Sequence, residues 1–163
     1  MRTILVSLAL LGWLFAPSGV ARASGGRPIV VTYTACETIT SSHSAGGNTL
    51  LSGSDAFSWN GTFTGSFVAT EHDVLFADGS LHFQGRGTFT GLVDGKAGSF
   101  VDTFDGLAQP DGSFSGHWAA GQASGDLRGF HAEGDLVGVS AGPAAGCDVP
   151  FAGSFSGEMH FTH

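Results

Sequence analysis

Hydrophobic and polar residues alternate with a period of two along most of this chain. The clearest example is residues 57–67, where every odd position is aromatic or glycine and every even position is Ser, Thr or Asn. Successive side chains of a β-strand point to opposite faces, so this pattern predicts a strand with one buried and one wet face. Glycines on the buried face leave room for aromatic rings from the neighbouring strand, as in small barrels.

The same alternating pattern recurs as a five-residue motif, which is GTFTG at residues 61–65 and 87–91 and GSFSG at residues 112–116 and 153–157. The uneven spacing excludes a solenoid with a fixed repeat. The pattern and the turn residues predict seven or eight strands, near residues 29–39, 56–76 (one strand or two), 80–93, 96–107, 113–120, 129–139 and 150–161. We therefore predict an all-β fold, a closed antiparallel up-and-down barrel of about eight strands, with a β-sandwich as the alternative.

Two turns predict the pairing of the central strands. Asp-Gly at 94–95 is typical of a two-residue hairpin, which places Gly87 opposite Asp102. Pro-Asp-Gly at 110–112 is typical of a three-residue hairpin, which places Ala120 opposite the same aspartate. Both registers keep the rings on one face of the sheet.

A third turn, at residues 77–80, predicts that Phe76 pairs with Leu81. Keeping Val74 on the same face as the preceding rings then requires a switch of face. We predict a β-bulge within residues 70–73, where an extra residue would supply that switch.

The N-terminus has the features of an export signal. A positive start, an apolar run over residues 4–15 and a small-x-small pattern at 21–23 predict a signal peptide over residues 1–23, cleaved after Ala23. Residues 24–163 then form one domain, and no later segment is apolar and long enough for a transmembrane helix. We expect a secreted or periplasmic protein.

The charge excludes one class of partner. The chain carries 14 acidic residues and 6 Lys and Arg, a net charge of -8, and removing residues 1–23 takes it to -10 because two arginines leave with them. Nucleic acid and anionic membranes require clustered Lys and Arg, so we expect neither as a partner.

Cys36 and Cys147 are the only cysteines. In an exported protein, a disulfide between the first strand and the loop before the last strand is the expected arrangement. Closing a loop of about 100 residues would contribute roughly 4–5 kcal/mol in the chain-entropy model.

From residue 95 onward the chain resembles a known group of proteins. The segments GKAGSFV at 95–101, GSFSGHW at 112–118 and SGDLRGFHAEG at 124–134 are similar to small bacterial proteins of unknown function in the allene oxide cyclase barrel-like group. Plant allene oxide cyclases and dirigent proteins share a similar glycine-rich turn. The resemblance covers about residues 85–138. It implies an eight-stranded barrel with an apolar lumen and allows a homo-oligomer. The plant enzymes use a lumenal acid near the first strand, whose nearest analogue by position is Glu37, although the surrounding residues differ.

The histidines and glycines do not form a known reactive motif. Four histidines on predicted strands, His82, His117, His131 and His160, fall on the hydroxyl side, and the histidines lack metal-ligand spacing. No nucleophile elbow or nucleophile–base pair is visible, and the glycine run at 85–87 is followed by a strand, not a helix. We therefore expect no metal and no cofactor.

Polar groups on the apolar face are the candidates for chemistry. Asp102 shares its face with two phenylalanines, and Tyr33 and Glu37 share parity on the first strand. A carboxyl in an apolar pocket favours its neutral form and can act as a general acid or base, so we name Asp102 and Glu37 as candidate catalytic residues. The predicted ligand-binding residues are Tyr33, Trp59, Phe63, Phe89, Phe100, Phe104 and Trp118. A structural role for Asp102, at the barrel rim or bonded to Tyr33 or the backbone, is the alternative.

These features predict a small exported barrel that binds a small apolar molecule in an aromatic lumen. The alternative is a cyclase or isomerase that acts on a lipid-like or polyketide-like substrate through a lumenal carboxylate. A third interpretation is a lumen filled by its own phenylalanines, with function on the outer face.

Overall fold

The computed structural model describes residues 26–162, in which eight β-strands follow one another along the chain. The strands are β1 (Arg27–Ala45), β2 (Asn48–Gly61), β3 (Phe63–Leu75), β4 (Leu81–Val93), β5 (Lys96–Ala108), β6 (Ser113–Gly125), β7 (Phe130–Ser140) and β8 (Val149–Phe161). The predicted signal peptide and its cleavage after Ala23 lie outside the described residues.

Each strand pairs antiparallel with its neighbours in sequence, and β1 also pairs with β8, so the sheet closes on itself. The predicted closed up-and-down barrel is confirmed, and the β-sandwich is not the fold. Gly87 and Ala120 lie opposite Asp102 as both hairpins predicted. Local turn chemistry was therefore sufficient to predict these two registers.

The predicted bounds were too short at the first hairpin. β1 extends to Ala45 and β2 begins at Asn48, joined by Gly46 and Gly47, both with positive φ. The predicted strand over 56–76 is two strands that meet at Thr62. Residues 40–55 were missed because they are rich in Ser and Thr and contain no ring to reveal their alternation.

The β-bulge predicted within residues 70–73 is wrong. β3 pairs with β4 in one unbroken register that ends with Leu75 opposite Leu81, so Phe76 is not the partner of Leu81. The strand needs no switch of face because Glu71 and Asp73, not Val74, continue the buried row. The register irregularities lie elsewhere. One is between Ile39 and Ser41 in β1, where it pairs with β2, and the other is between Ser99 and Val101 in β5, where it pairs with β6.

One end of the barrel is filled by side chains. Leu127, in the turn between β6 and β7, folds over this end. Trp59 stacks on Phe89 and Phe89 on Phe100, with ring centroids 5.1 Å and 4.7 Å apart. The residues packed at this end are Ile29, Val93, Leu127, Phe130 and Met159, none more than 1% exposed.

Paired glycines allow neighbouring strands to pack closely under the rings. Gly134 of β7 faces Gly157 of β8, and a methyl group on either would lie within 2.8 Å of the other's Cα atom. Gly153 likewise lies directly beneath the ring of Tyr33. The repeated motif therefore has glycine at these positions because rings or backbone atoms occupy the space that a side chain would need.

The predicted disulfide between Cys36 and Cys147 is confirmed, with Cα atoms 5.6 Å apart. It joins β1 to the loop before β8, whose Asp148 accepts a hydrogen bond from the amide of Ile39 at 2.9 Å. This loop is held beside the end of the barrel opposite Leu127. Across residues 26–162, no helix has the length and apolar character to cross a membrane.

Candidate functional site

A cavity of about 150 Å³ occupies the half of the barrel away from the Leu127 end. It reaches the end of the barrel, because its lining includes terminal residues of the strands such as Leu81, Ala108 and Val149. A water molecule in the liquid takes up about 30 Å³, so this space exceeds a single water. The interpretation of a lumen filled throughout by its own phenylalanines therefore holds only for the other half.

The cavity divides the predicted ligand-binding residues into two groups. One group lines the cavity and consists of Tyr33, Trp59, Phe104 and Trp118. The other group does not line it, is at most 1% exposed, and consists of Phe63, Phe89 and Phe100. Inward parity identified both groups but could not tell the filled end from the open one.

Asp102 lies on the cavity wall and is 1% exposed. Its cross-strand neighbours are Gly87 and Ala120, as predicted, but the ring of Phe67 and the backbone of β3 occupy the space beside Gly87. Its Oδ1 atom has no hydrogen-bond partner among the described residues. Burial raises the pKa of Asp102 well above its ordinary value of 3.8, so the neutral form is favoured.

Four further carboxyl groups form an acid cluster at the open end, and three of them were not predicted as site residues. The cluster consists of Glu37 on β1, Asp55 on β2, and Glu71 and Asp73 on β3, all at least nine-tenths buried. Glu37 lies directly opposite Asp55, and Gly53 lies opposite Glu71. The missing side chain of Gly53 leaves the space that the Glu37 carboxyl occupies.

The acid cluster shares protons. Glu71 is within hydrogen-bonding reach of both Asp55 and Asp73, and Glu37 is within reach of Asp73. Two ionised carboxylates cannot donate to one another, so only a protonated member makes these bonds. Burial first, and repulsion from the other acids second, raise the pKa of Glu37 to about 8. Burial raises the pKa of Asp73 to about 6, against the opposing effect of its hydrogen bond with Glu71.

Burial raises the pKa of Glu71 to about 12, with further contributions from its hydrogen bond with Asp55 and from repulsion by neighbouring acids. Glu71 therefore keeps its proton, and its single O–H can donate to Asp55 or to Asp73. The cluster then carries negative charge near neutral pH while each member stays largely out of water. Such sharing is the usual result when several carboxyl groups meet in a site of low polarity.

No Lys or Arg side chain among the described residues neutralises these acids. The four Lys and Arg residues within residues 26–162 are Arg27, Arg86, Lys96 and Arg128, and all are exposed on the outer surface. A buried charge is costly unless it is paired or hydrogen-bonded. The acid cluster therefore has unmet demand for hydrogen-bond donors and for positive charge.

Buried donors also line the cavity. The indole N–H groups of Trp59 and Trp118 have no acceptor among the described residues, although each residue is at most 3% exposed. Tyr33, in contrast, passes over Gly153 and donates its hydroxyl proton to the carbonyl of Val137 at 3.3 Å. Buried indole N–H groups usually find a partner, so the two tryptophans are exceptions that require an explanation.

The acid cluster occupies one side of the open end, and rings surround it. The acids come from the three consecutive strands β1, β2 and β3. Phe104 and Phe114 come from β5 and β6, whereas Phe83 on β4 is paired with Asp73 and Phe151 on β8 is paired with Ala35. The cavity therefore combines acceptors that are grouped on β1–β3 with aromatic rings from every strand except β7.

One signal in the sequence could have revealed the missed acids. The alternation through Phe67 and Ala69 continues to Glu71 and Asp73 if no bulge is introduced, and Asp55 has the same parity as Phe57. The expectation that charged residues face water argued against that reading. Strict period-two parity was the more reliable guide here.

The histidines lie on the outer face as predicted from parity. His117 pairs with Asp135 at 2.8 Å, and His131 stacks on His160 with ring centroids 5.4 Å apart. Within the part of the chain that the structure describes, no group of three or more His, Cys, Asp or Glu side chains is arranged to hold a metal ion.

Comparison with known proteins supports the fold and says little of activity. No family model matches the chain, and no curated protein matches it. A solved structure is similar, that of a protein of unknown function from the DUF3224 family of Shewanella oneidensis MR-1. The TM-score is 0.65 at 15% identity, covering 85% of this chain and 99% of that one. The likeness is to a bacterial protein without an established role, and at this identity it shows the fold alone.

Proposed function

We propose that this protein binds a small, largely apolar molecule in the cavity at the open end of the barrel. The observation that carries the proposal is the cavity of about 150 Å³, whose lining combines packed rings with buried polar groups that have no protein partner. Ligand sites have this composition, mostly apolar walls with a few polar groups that orient the ligand. An apolar cavity of comparable size, about 150 Å³ in an engineered protein, takes up benzene.

The unpartnered groups indicate how a ligand would be oriented. Trp59 and Trp118 offer buried N–H donors, and Asp102, whose neutral form is favoured by burial, offers a carboxyl on the cavity wall. A single oxygen atom on the ligand would satisfy one of these donors. Each buried donor that gains a hydrogen-bond partner in this way would contribute about 1–3 kcal/mol to the free energy of binding.

Toluene binding tests the proposal directly, because toluene needs only apolar space. We expect isothermal titration calorimetry to detect toluene binding to the purified protein. The variant Leu136→Trp fills the cavity and should abolish binding, since Leu136 lines it. The matched control Val137→Trp places the same ring one residue along β7, on the outer face where Val137 is 51% exposed, and should bind like the unaltered protein. Absence of toluene binding to the unaltered protein would refute the proposal.

A catalytic role is the second candidate, favoured by two acids that line the same cavity. The pKa of Glu37 is raised to about 8, close to the range in which a carboxyl can donate and accept protons at neutral pH. Burial raises the pKa of Asp102, which lines the same cavity, and so favours its protonated form. A cyclase or isomerase would use either group for proton transfer.

Mass spectrometry of molecules that copurify with the protein would identify a ligand or substrate. The same molecule, incubated with the unaltered protein and with Asp102→Asn, separates the two candidates. Equal affinity with lost conversion favours catalysis, whereas binding without conversion by either protein favours a binding role.

We also propose that the protein is exported. The predicted signal peptide and the Cys36–Cys147 disulfide support this, because disulfides persist in oxidising compartments. N-terminal sequencing of protein recovered from outside the cytoplasm should begin at Ser24, and recovery of the uncleaved chain would contradict the proposal.

A further inference from the structure

We propose that the cavity is selective for a small amine, whose ammonium group binds among Glu37, Glu71 and Asp73 while its short apolar body packs on the opposite rings. This inference rests on the proposed binding function and specifies the chemical class of the ligand. It follows from three properties of the open end: its unmet acceptors, its uncompensated charge and its shape.

The first property is the supply of acceptors with few donors. Apart from the protons that the acids share among themselves, Glu37 Oε1 and Asp73 Oδ1 are buried without a hydrogen-bond donor among residues 26–162, and both residues line the cavity. An ammonium group carries three N–H donors and no acceptor, so it complements this arrangement. A carboxylate or phosphate ligand would instead be repelled by the ionised members of the cluster.

Asp102 provides independent evidence that a ligand binds in the same cavity. It lies outside the acid cluster on β5, is 1% exposed, and directs an unpartnered carboxyl oxygen at the same cavity. No acid of the cluster contributes to its altered titration, which arises from burial. An unpartnered polar group on a second wall, far from any neutralising side chain, is the feature expected where a ligand supplies the partner.

The second property is charge. All four Lys and Arg residues of the described chain are exposed, so none of them neutralises the acid cluster from within the barrel. Bound ammonium would supply the missing positive charge in a site of low polarity, where charge-assisted hydrogen bonds are stronger than in water. A metal ion is disfavoured, because the described acids are not arranged as metal ligands.

The third property is shape. A volume of about 150 Å³ suits a body of one aromatic ring or a short alkyl chain, not a lipid. The rings of Phe104 and Phe114, on β5 and β6, belong to strands on the far side of the barrel from the acid cluster, where they can contact that body. Rings near the ammonium add a cation–π attraction.

Three probes of one size test the inference: benzylamine, benzyl alcohol and toluene. We expect benzylamine to bind at least about tenfold more tightly than benzyl alcohol at pH 7, because its hydrogen bonds are charge-assisted. The double variant Glu37→Gln with Asp73→Asn should lose this preference and still bind toluene. The control Asp105→Asn, an exposed residue on the outer face of β5, should keep it.

Proton release provides a readout that needs no variant. Benzylamine should release protons on binding, seen as a dependence of the calorimetric heat on the ionisation enthalpy of the buffer, whereas benzyl alcohol should release none. The titratable groups that face the site or act on its members are Tyr33, Glu37, Asp55, Glu71, His72, Asp73, Asp102 and Asp148.

The outcomes distinguish failure of the amine inference from failure of the proposed binding function on which it rests. If toluene binds but benzylamine binds no better than benzyl alcohol, the amine inference is wrong and the cavity remains a binding site. If no probe binds, the proposed function fails as well. If calcium chloride alone binds at one ion per chain and displaces benzylamine, the cluster is a metal site and the amine inference is overturned.

Discussion

Replacing Asp102 by asparagine should stabilise the protein at neutral pH, which is an unusual expectation for a buried polar residue. The unaltered carboxyl is 1% exposed, has no basic neighbour and keeps its proton in the folded chain. In the unfolded chain it releases that proton above its ordinary pKa of 3.8. Asparagine has nearly the same shape and never ionises, so it removes this difference between the two states.

The magnitude follows from proton linkage. Folded Asp102 has a raised pKa, so its contribution to stability is fully present below pH 3.8 and is lost as the pH rises towards the folded pKa. The loss is about 1.4 kcal/mol per pH unit, or about 4 kcal/mol between pH 3.8 and pH 7 for a carboxyl that stays protonated when folded. Water in the adjacent cavity would hydrate the ionised form, so this value is an upper bound.

Urea unfolding of the two proteins at pH 4, 5.5 and 7 measures this difference. The gain in free energy of unfolding for Asp102→Asn over the unaltered protein should grow with pH, whatever its value at pH 4. The control Asp105→Asn removes an exposed carboxyl from the same strand and should show no comparable growth. A difference between Asp102→Asn and the unaltered protein that stays constant from pH 4 to pH 7 would refute the reasoning.

Three further predictions concern the acid cluster, the glycines and the disulfide. Because the pKa values of Asp73 and Glu37 are raised to about 6 and about 8, their stabilising contribution should decline as the pH rises from about 4 to 8, and Glu37→Gln should flatten the upper part of the decline in thermal unfolding. Gly87→Ala should cost about 1–3 kcal/mol in urea unfolding, because its methyl group would meet a strand backbone, whereas Gly121→Ala has ordinary contacts and should cost less. Cys36→Ser should lower the free energy of unfolding by about 2–5 kcal/mol, and an unchanged value under oxidising conditions would contradict a stabilising bridge.

The part of the site that could be predicted from the sequence was the part that depends on turn residues and on the alternation of side chains within a strand. Asp-Gly turns and strict alternation were enough to place Gly87 and Ala120 beside Asp102, because hairpin register depends on a few adjacent residues. The same alternation also placed Tyr33 and Glu37 on the inner face. The acid cluster was missed because burial of Glu71 and Asp73 contradicts the usual preference of carboxylates for water.

By itself, the sequence determined most of the strands, the central hairpins, the disulfide and the aromatic part of the inner face. These follow from the period of the side chains and from turn residues, which act over a few positions. Closure of β1 on β8 was decided only in three dimensions, because it pairs residues more than a hundred positions apart. That closure also packs one end around Leu127, leaves the other open, and gathers Glu37, Asp55 and Glu71 at the open end. The cavity and its acid side are therefore properties of the whole barrel, since each requires strands that no local pattern relates.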